Sequence, residues 1–366
     1  MFDHTHYVPI LRWREAERKA LMHLHASVRD RITPLIEIHH KGLPSSTSAD
    51  SGIVHKTLDD IATEIRDCWC YNPVFVDMNL FMQRVIATAK NHPLEILAQK
   101  SRRQFYRLKI IPVTGLHRDK RYQGAVKKLC HSDRRGICLR LLRQDIADTK
   151  LQEQLDALLH RFNLTPEEVD LIVDYQIVDN PSLPNLAHIC KCVPYLDRWR
   201  TFSFASGTLP MYLSDLEKNR QHEIRRTDWI EWRDQVMFQE LERKPTFSDY
   251  TIQHPIYSDT PIPPFFSASI RYTAEEYWVI MRGENVFQDG GPGFKQYPAN
   301  ALLLAERPEF KGGNFSDGDQ YIETMGAQTQ RTGNAKTWLQ AGFNHHISLV
   351  TYQLSGLFGP STAHEP

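Results

Sequence analysis

GICLRLLRQDIADTKLQEQLDALLHRFNLTPEEVDLIVDYQ, residues 136–176, holds one complete strand–helix–strand unit, and its reading decides the fold. Its ends, GICLRLL from Gly136 and VDLIVDYQ from Val169, are short, nearly continuous apolar runs that close on polar residues. Strands of that kind belong to a parallel sheet buried on both faces. Between them, residues 145–162 repeat Ile146, Leu151, Leu155, Leu158 and Leu159 at helical spacing, and Thr165-Pro166 opens the next turn. Working outward, the same kind of run appears as YVPILRW from Tyr7, ITPLIEI from Ile32, PVFVDMN from Pro73 and KIIPVTGL from Lys109. RTFSFASG from Arg200 and TFSDYTIQ from Thr246 complete a set of eight. The expected fold is α/β: a (β/α)8 TIM-like barrel over residues 1–255, with its reactive groups at the strand C-termini.

Residues 14–29 and 220–241 show the amphipathic spacing of outer helices, and Thr57 stands where a cap would precede LDDIATEIRD. Residues 39–53, rich in Ser, Gly and Pro, predict a loop over the mouth. Past His254 the pattern changes. IYSDTPIPPFF is a proline-broken connector, SASIRYT and YWVIMRG are two further β segments, and helices follow near 299–305 and 335–342. GGNFSDGD is expected as a loop, HHISLVTYQLS as the closing segment, and the chain from Gly359 as a frayed tail. Residues 256–366 are therefore expected to form a C-terminal α+β extension capping the barrel mouth and integrated with it.

Composition bounds the rest. Apolar residues make up 41% and charged residues 24%, as in soluble globular proteins. No run approaches the roughly 18 apolar residues of a membrane span, and MFDHTHYVPILRWRE has no leader pattern, so a cytoplasmic location is the default expectation. The CxC pairs Cys68/Cys70 and Cys190/Cys192 lack the usual zinc spacing and are expected as reduced thiols near helix ends. Net charge is zero, yet residues 100–143 carry fourteen Lys/Arg against Asp119 and Asp133, and residues 144–184 carry nine Asp/Glu against Lys150 and Arg161. Such opposed sectors suit a phosphate-holding flank, docking between partners or copies, or simply solvated helices.

At the strand ends, Glu37, Asp77, Arg140, Asp174, Ser203 and Asp249 would converge in a closed barrel. Several carboxylates with an arginine would hold a divalent cation or divide acid and base roles; the alternative is a salt-bridged layer inside the barrel. Asp249-Tyr250, Arg271-Tyr272 and Arg282 set guanidinium forks beside aromatic faces, which suits an anion or a nucleobase. Of the adjacent His345 and His346, one is expected to reach the site as ligand or proton carrier, the other to lie on the surface; His39-His40 is weighed the same way. Phe315–Asp319 reads as a turn and not as a calcium loop. No Walker loop, GxSxG, HExxH or GxGxxG occurs.

Taken together, Tyr7-Val8-Pro9-Ile10-Leu11-Arg12-Trp13 with Glu17 and Ala20-Leu21, then Pro34-Leu35-Ile36-Glu37-Ile38, resemble the opening of the "beta protein" family, named after a T-even phage protein and widespread in bacteria. The similarity continues through Asp77, Leu139-Arg140-Leu141, Asp249-Tyr250, Ile270-Arg271-Tyr272-Thr273, Arg282-Gly283, Phe315-Ser316, Gly318-Asp319, Trp338 and His345-His346. Phe204-Ala205-Ser206 and Ser248 depart from the expected pattern. The resemblance implies one integrated unit over nearly the whole chain and a setting in phage–host conflict. Two functions remain open. In one, the mouth binds, and by phosphoester hydrolysis processes, a phosphate-bearing ligand such as a nucleotide or nucleic acid. Arg140, Tyr250, Arg271, Tyr272 and Arg282 would hold that ligand, and Glu37, Asp77, Asp174, Asp249, His345 and His346 would carry the chemistry, with a divalent cation as candidate cofactor. In the other, the barrel is a non-enzymatic scaffold that docks a protein partner or a second copy through its charge sectors.

Overall fold

The eight apolar runs do close into a ring. In a computed structural model of the chain, which describes residues 2–39, 51–70, 72–82, 91–104, 108–178, 184–257, 266–328 and 330–358, they form β1 (Tyr7–Arg12), β2 (Leu35–Glu37), β3 (Pro73–Asp77), β4 (Lys109–Thr114), β5 (Ile137–Leu142), β6 (Val169–Ile177) and β7 (Thr201–Gly207). After β8 (Arg220–Arg225), which lies outside the ring, β9 (Thr246–Asp249) pairs in parallel with both β7 and β1 and completes an eight-stranded parallel barrel.

Side chains along these strands alternate between two apolar layers, as period 2 requires. Val8, Ile10, Leu35, Phe75, Ile111, Val113, Cys138, Ile172, Ala205 and Tyr250 fill the interior. Leu11, Ile36, Val76, Leu139, Leu141, Val173, Phe204 and Phe247 face the helices. Burial on both sides is why the runs look almost continuously apolar; each such side chain contributes about 1.5–3 kcal/mol. Gly136 is required at the entry to β5: it has φ +69°, and a Cβ there would stand 1.8 Å from the Glu168 carbonyl oxygen.

Several boundaries differ from expectation. Residues 220–241 are not one helix: RQHEIR is β8, and the helix is Thr227–Phe238. Residues 14–29 divide into helices Glu15–Met22 and Ala26–Arg29, and residues 145–162 into Arg143–Ile146 and Leu151–Phe162. Thr57 is no cap, because its helix runs over Ser51–Trp69. The latter part of GGNFSDGD opens helix Asp317–Gly326, whose N-terminus Ser316 caps by accepting from Asp319 N. HHISLVTYQLS lies inside one helix, Ala335–Phe358. Most of the 39–53 loop, residues 258–265 of the connector and the tail from Gly359 lie outside the described residues.

β10 (Ser267–Thr273) and β11 (Tyr277–Asn285) join β8 in an antiparallel sheet ordered β10-β11-β8. One face of this sheet builds a second core with Tyr297, Leu304, Ile322 and Trp338; Trp278 and Ile280 on the other join the main core. Helix Ala335–Phe358 serves both, Trp338 and Ala341 in the second core and Phe343, Ile347, Val350 and Leu354 in the first. It lies beside helix Glu15–Met22, where Asn344 Nδ2 donates to Ala20 O at 3.1 Å and Lys336 pairs with Glu15 at 2.8 Å. This helix therefore takes an outer-layer position beside the first barrel helix. The barrel and the extension interlock through it and through β8.

Candidate functional site at the barrel mouth

Register brings the first three strands level at their C-terminal ends: Arg12 pairs with Glu37, and Glu37 with Asp77. Across the ring, Arg140 on β5 points inward and reaches all the carboxylates of the mouth floor. Its Nε donates to Asp174 Oδ2 at 2.8 Å, and its Nη1 to Glu37 Oε1 at 2.8 Å and Asp77 Oδ2 at 3.1 Å. Its Nη2 donates to the Tyr250 hydroxyl at 2.9 Å, and that hydroxyl donates to Asp174 Oδ2 at 2.6 Å. Arg118, from the loop after β4, adds a second cation on Asp77 Oδ2 at 2.8 Å. Asp77 Oδ1 and Asp174 Oδ1 accept from the backbone nitrogens of Asn79 and Gln176, each at 2.9 Å. Gln176 takes the left-handed φ of 58° where β6 bulges.

Burial opposes ionisation of Asp77, but Arg118 and Arg140 outweigh it and hold the carboxyl below the usual range. Burial also opposes the Arg140 charge; Tyr250 and the three carboxylates reverse that and keep the guanidinium firmly protonated. The Tyr250 phenol is pushed well up by burial and by Asp174, so it acts as a donor and not as a phenolate. Some buried polar atoms are left over, Asp145 Oδ1 among them. Glu37 Oε2 and Arg12 Nε are buried, 3.9 Å apart, and have no hydrogen-bond partner among the described residues. Arg12 Nη2 is held by the carbonyls of His254 and Pro255 at 2.6 and 3.0 Å.

Above this floor lies a cavity of about 380 Å³, walled by Asn79, His117, Arg118, Gln144, Gln176 and Tyr257 among others. His117 Nε2 meets Asp145 Oδ1 at 2.9 Å, and Asp145 is fixed from behind by the Leu142 N–H at 2.7 Å. A larger cavity, about 740 Å³, opens at the opposite end near Phe2, Arg31, Arg200 and Arg243. There Arg200 is committed to Asp170, and Arg243 to the carbonyls of Leu196 and Trp199. Barrel chemistry belongs to the C-terminal face, so the smaller cavity is the candidate site.

The model of a family described as Beta protein matches residues 7–352. The chain belongs to the Beta protein family. No curated protein matches it. The matched span takes in both the barrel and the small sheet of this Beta protein family member.

The expected site residues fall into three groups. Glu37, Asp77, Asp174, Arg140 and Tyr250 meet at the mouth. Asp249 does not: it points out of the barrel wall, where Oδ1 accepts from the Tyr7 hydroxyl at 2.5 Å and Oδ2 from His346 Nε2 at 2.9 Å. Burial pushes the Asp249 carboxyl up, but His346 and Tyr7 more than offset it and hold it low. Neither histidine is on the surface; both are fully buried. His346 has its pKa lowered by burial, against the pull of Asp249. Its Nδ1 lies 2.9 Å from the Thr273 hydroxyl. His345 bridges Asp319 Oδ2 and Thr273 O at 2.8 and 2.7 Å and stacks on Tyr272, whose hydroxyl donates to Asp319 Oδ1. Arg271 and Arg282 stand on β10 and β11, and neither lines the mouth cavity. Ser203 is fully buried, and His39 is buried at the mouth end of β2; His40 lies outside the described residues.

A cation site among the carboxylates is taken by chemistry already present: the position between Glu37, Asp77 and Asp174 is filled by the Arg140 guanidinium. Among the described residues, no group of three His, Cys, Asp or Glu side chains is arranged to hold a metal. The six cysteines are free thiols, and Cys70 and Cys192 sit at helix ends. Of the extension, only Ile256 and Tyr257 line the mouth among the described residues. Sequence reasoning missed Arg12, Arg118, His117 and Asp145. For Arg12 and Arg118 the available signal was position, since Arg12 is the last residue of β1 and Arg118 comes shortly after the fourth run.

Proposed function

We propose that the mouth binds a phosphate-bearing ligand, a nucleotide or a nucleic-acid end, and that this binding serves phage–host conflict. The supporting observation is Arg118, which lines the cavity at the strand C-termini with N–H groups to spare, above the Arg140 floor. Arg118 has N–H groups beyond the one bonded to Asp77, and Arg forks match phosphate oxygens in pairs, while Arg140 is spent on Glu37, Asp77, Asp174 and Tyr250 and holds the floor beneath. Gln144, Gln176 and Asn79 add neutral donors around the rim, and Tyr257 offers an aromatic edge. The setting in phage–host conflict rests on the occurrence of the family alone. A thermal-shift series tests the binding: nucleoside triphosphates should raise the melting temperature where the matching nucleosides do not, and Arg118→Ala should erase the difference. Equal responses to nucleotide and nucleoside would overturn it.

Hydrolysis is a second reading, favoured by two candidate bases. Glu37 Oε2 has no hydrogen-bond partner among the described residues, and His117 Nε2 stands on the cavity wall 2.9 Å from Asp145 Oδ1. Release of phosphate from a bound nucleotide, lost in Glu37→Gln or His117→Gln, would support it. The scaffold alternative gains less. Much of the basic stretch is compensated within the chain, Lys100 by Asp59, Arg102 by Asp133 and Lys128 by Glu95.

A further inference from the structure

We infer that Arg271 and Arg282, on the face of the small sheet whose Trp278 and Ile280 join the main core, form a binding site for a phosphate-type oxyanion, separate from the mouth. Register sets the geometry. On β11, Arg282 lies opposite Ser269 of β10 on one side and Arg220 of β8 on the other. Arg271 lies opposite Ile280, which in turn lies opposite His222. Because side chains alternate, Arg271, Arg282, Arg220 and His222 project from one face, with Arg271 and Arg282 diagonal neighbours about 7–8 Å apart.

This face carries little counter-charge. Glu217 pairs with Arg220 at 3.0 Å, both side chains exposed, and its carbonyl takes His222 Nε2 at 2.8 Å. Arg271 spends one N–H on Ile252 O at 2.7 Å, and its Nε is buried without a partner. Arg282 makes no hydrogen bond or ion pair among the described residues, and its Nε is likewise buried and unpartnered. Arg140 and Arg200 meet carboxylates, and the acid-free Arg226 and Arg243 are held by several carbonyls, whereas Arg282 has neither among the described residues. Burial, and then the neighbouring Arg282, push the Arg271 pKa down to about 10, as expected for a guanidinium short of counter-charge. Like charges facing each other across strands are destabilising, and a partly buried guanidinium without an acid is costly. A doubly charged tetrahedral oxyanion would offset both, accepting from one fork on each strand.

The test uses the full chain and sulfate, which does not titrate between pH 5 and 9, at ionic strength held constant with chloride. Calorimetric titration should show sulfate binding that survives Arg118→Ala and weakens about tenfold or more in Arg282→Gln. In chloride alone Arg282→Gln should melt no lower than the parent, because a repulsion has been removed. Sulfate affinity unchanged by Arg282→Gln would overturn the site, as would a lower melting temperature of that variant in chloride. Should Arg282→Gln fail to fold, Arg282→Lys keeps the charge but loses the fork, and an undiminished affinity there overturns the site equally. A labelled single-stranded dodecanucleotide separates two sources of the same chemistry. Binding that depends on Arg282 assigns the oxyanion to a polynucleotide backbone, and sulfate binding alone assigns it to a free ion. Loss of nucleotide binding at the mouth with this behaviour intact would separate failure of the mouth from failure of this site.

Discussion

Asp249 and Tyr250 are consecutive residues whose side chains leave opposite sides of the barrel wall. The Tyr250 hydroxyl closes the Arg140–Asp174 network within the mouth, while Asp249 binds Tyr7 and His346 against the outer helix. The two positions should therefore fail differently. Asp249→Ala leaves Tyr7 and His346 buried without their acceptor and should cost about 3–5 kcal/mol of stability with ligand affinity at the mouth unchanged. Tyr250→Phe should cost about 1–3 kcal/mol and also alter that affinity. Urea unfolding combined with ligand titration distinguishes the two.

Arg140 is the counter-charge for three carboxylates, so Arg140→Met should be among the most destabilising single changes at the mouth, on the order of 3–5 kcal/mol near neutral pH. The loss should shrink in acid as the carboxylates protonate. Unfolding midpoints at pH 7 and pH 4 measure this, and a loss independent of pH would contradict it.

Asp77 titrates below its ordinary value of 3.8 in the fold. Its stabilising contribution is complete above that value and is lost as pH falls through the lower, folded one. Asp77→Asn should accordingly flatten the acid limb of a melting-temperature profile between pH 2 and 5. A limb unchanged in the variant would show that Asp77 is not the group responsible.

Glu17 and Asp228 behave oppositely. Burial raises both carboxyls to about 7, with Asp249 adding to the effect on Asp228. A raised folded value means that a proton is held on folding, so stability is greatest in acid and declines as pH climbs from about 4 toward 7. Asp228→Asn should therefore stabilise the protein at pH 8 and have little effect at pH 4, as read by paired thermal melts.

Magnesium or a chelator should leave the melting temperature unchanged, because the Arg140 guanidinium already stands among the mouth carboxylates. A chelator-dependent fall would require a cation in another arrangement.

Legibility in the sequence followed burial. The eight barrel strands were plain because both their faces are apolar, whereas RQHEIR, exposed on most of its length at a sheet edge, looked helical. Helix Ala335–Phe358 was missed as a unit because His345 and His346 break its apolar pattern, yet both are buried by specific acceptors. Glu37, Asp77, Arg140 and Asp174 were correctly expected to converge, because strand ends face one rim. Asp249 was misplaced for want of parity: in TFSDY, Phe247 faces the helices, and two residues on Asp249 must follow it. His117 and Asp145 lie just beyond strand ends, where spacing alone does not specify direction.

The interlock between barrel and sheet also has a cost in time. β8 leaves the ribosome well before β11, its neighbour in the small sheet, and Tyr7 and Asp249 wait for His346. A nascent chain that has made all eight ring strands still shows water a raw edge and an open seam, so severing the polypeptide near residue 255 should yield an aggregating fragment instead of a smaller working barrel.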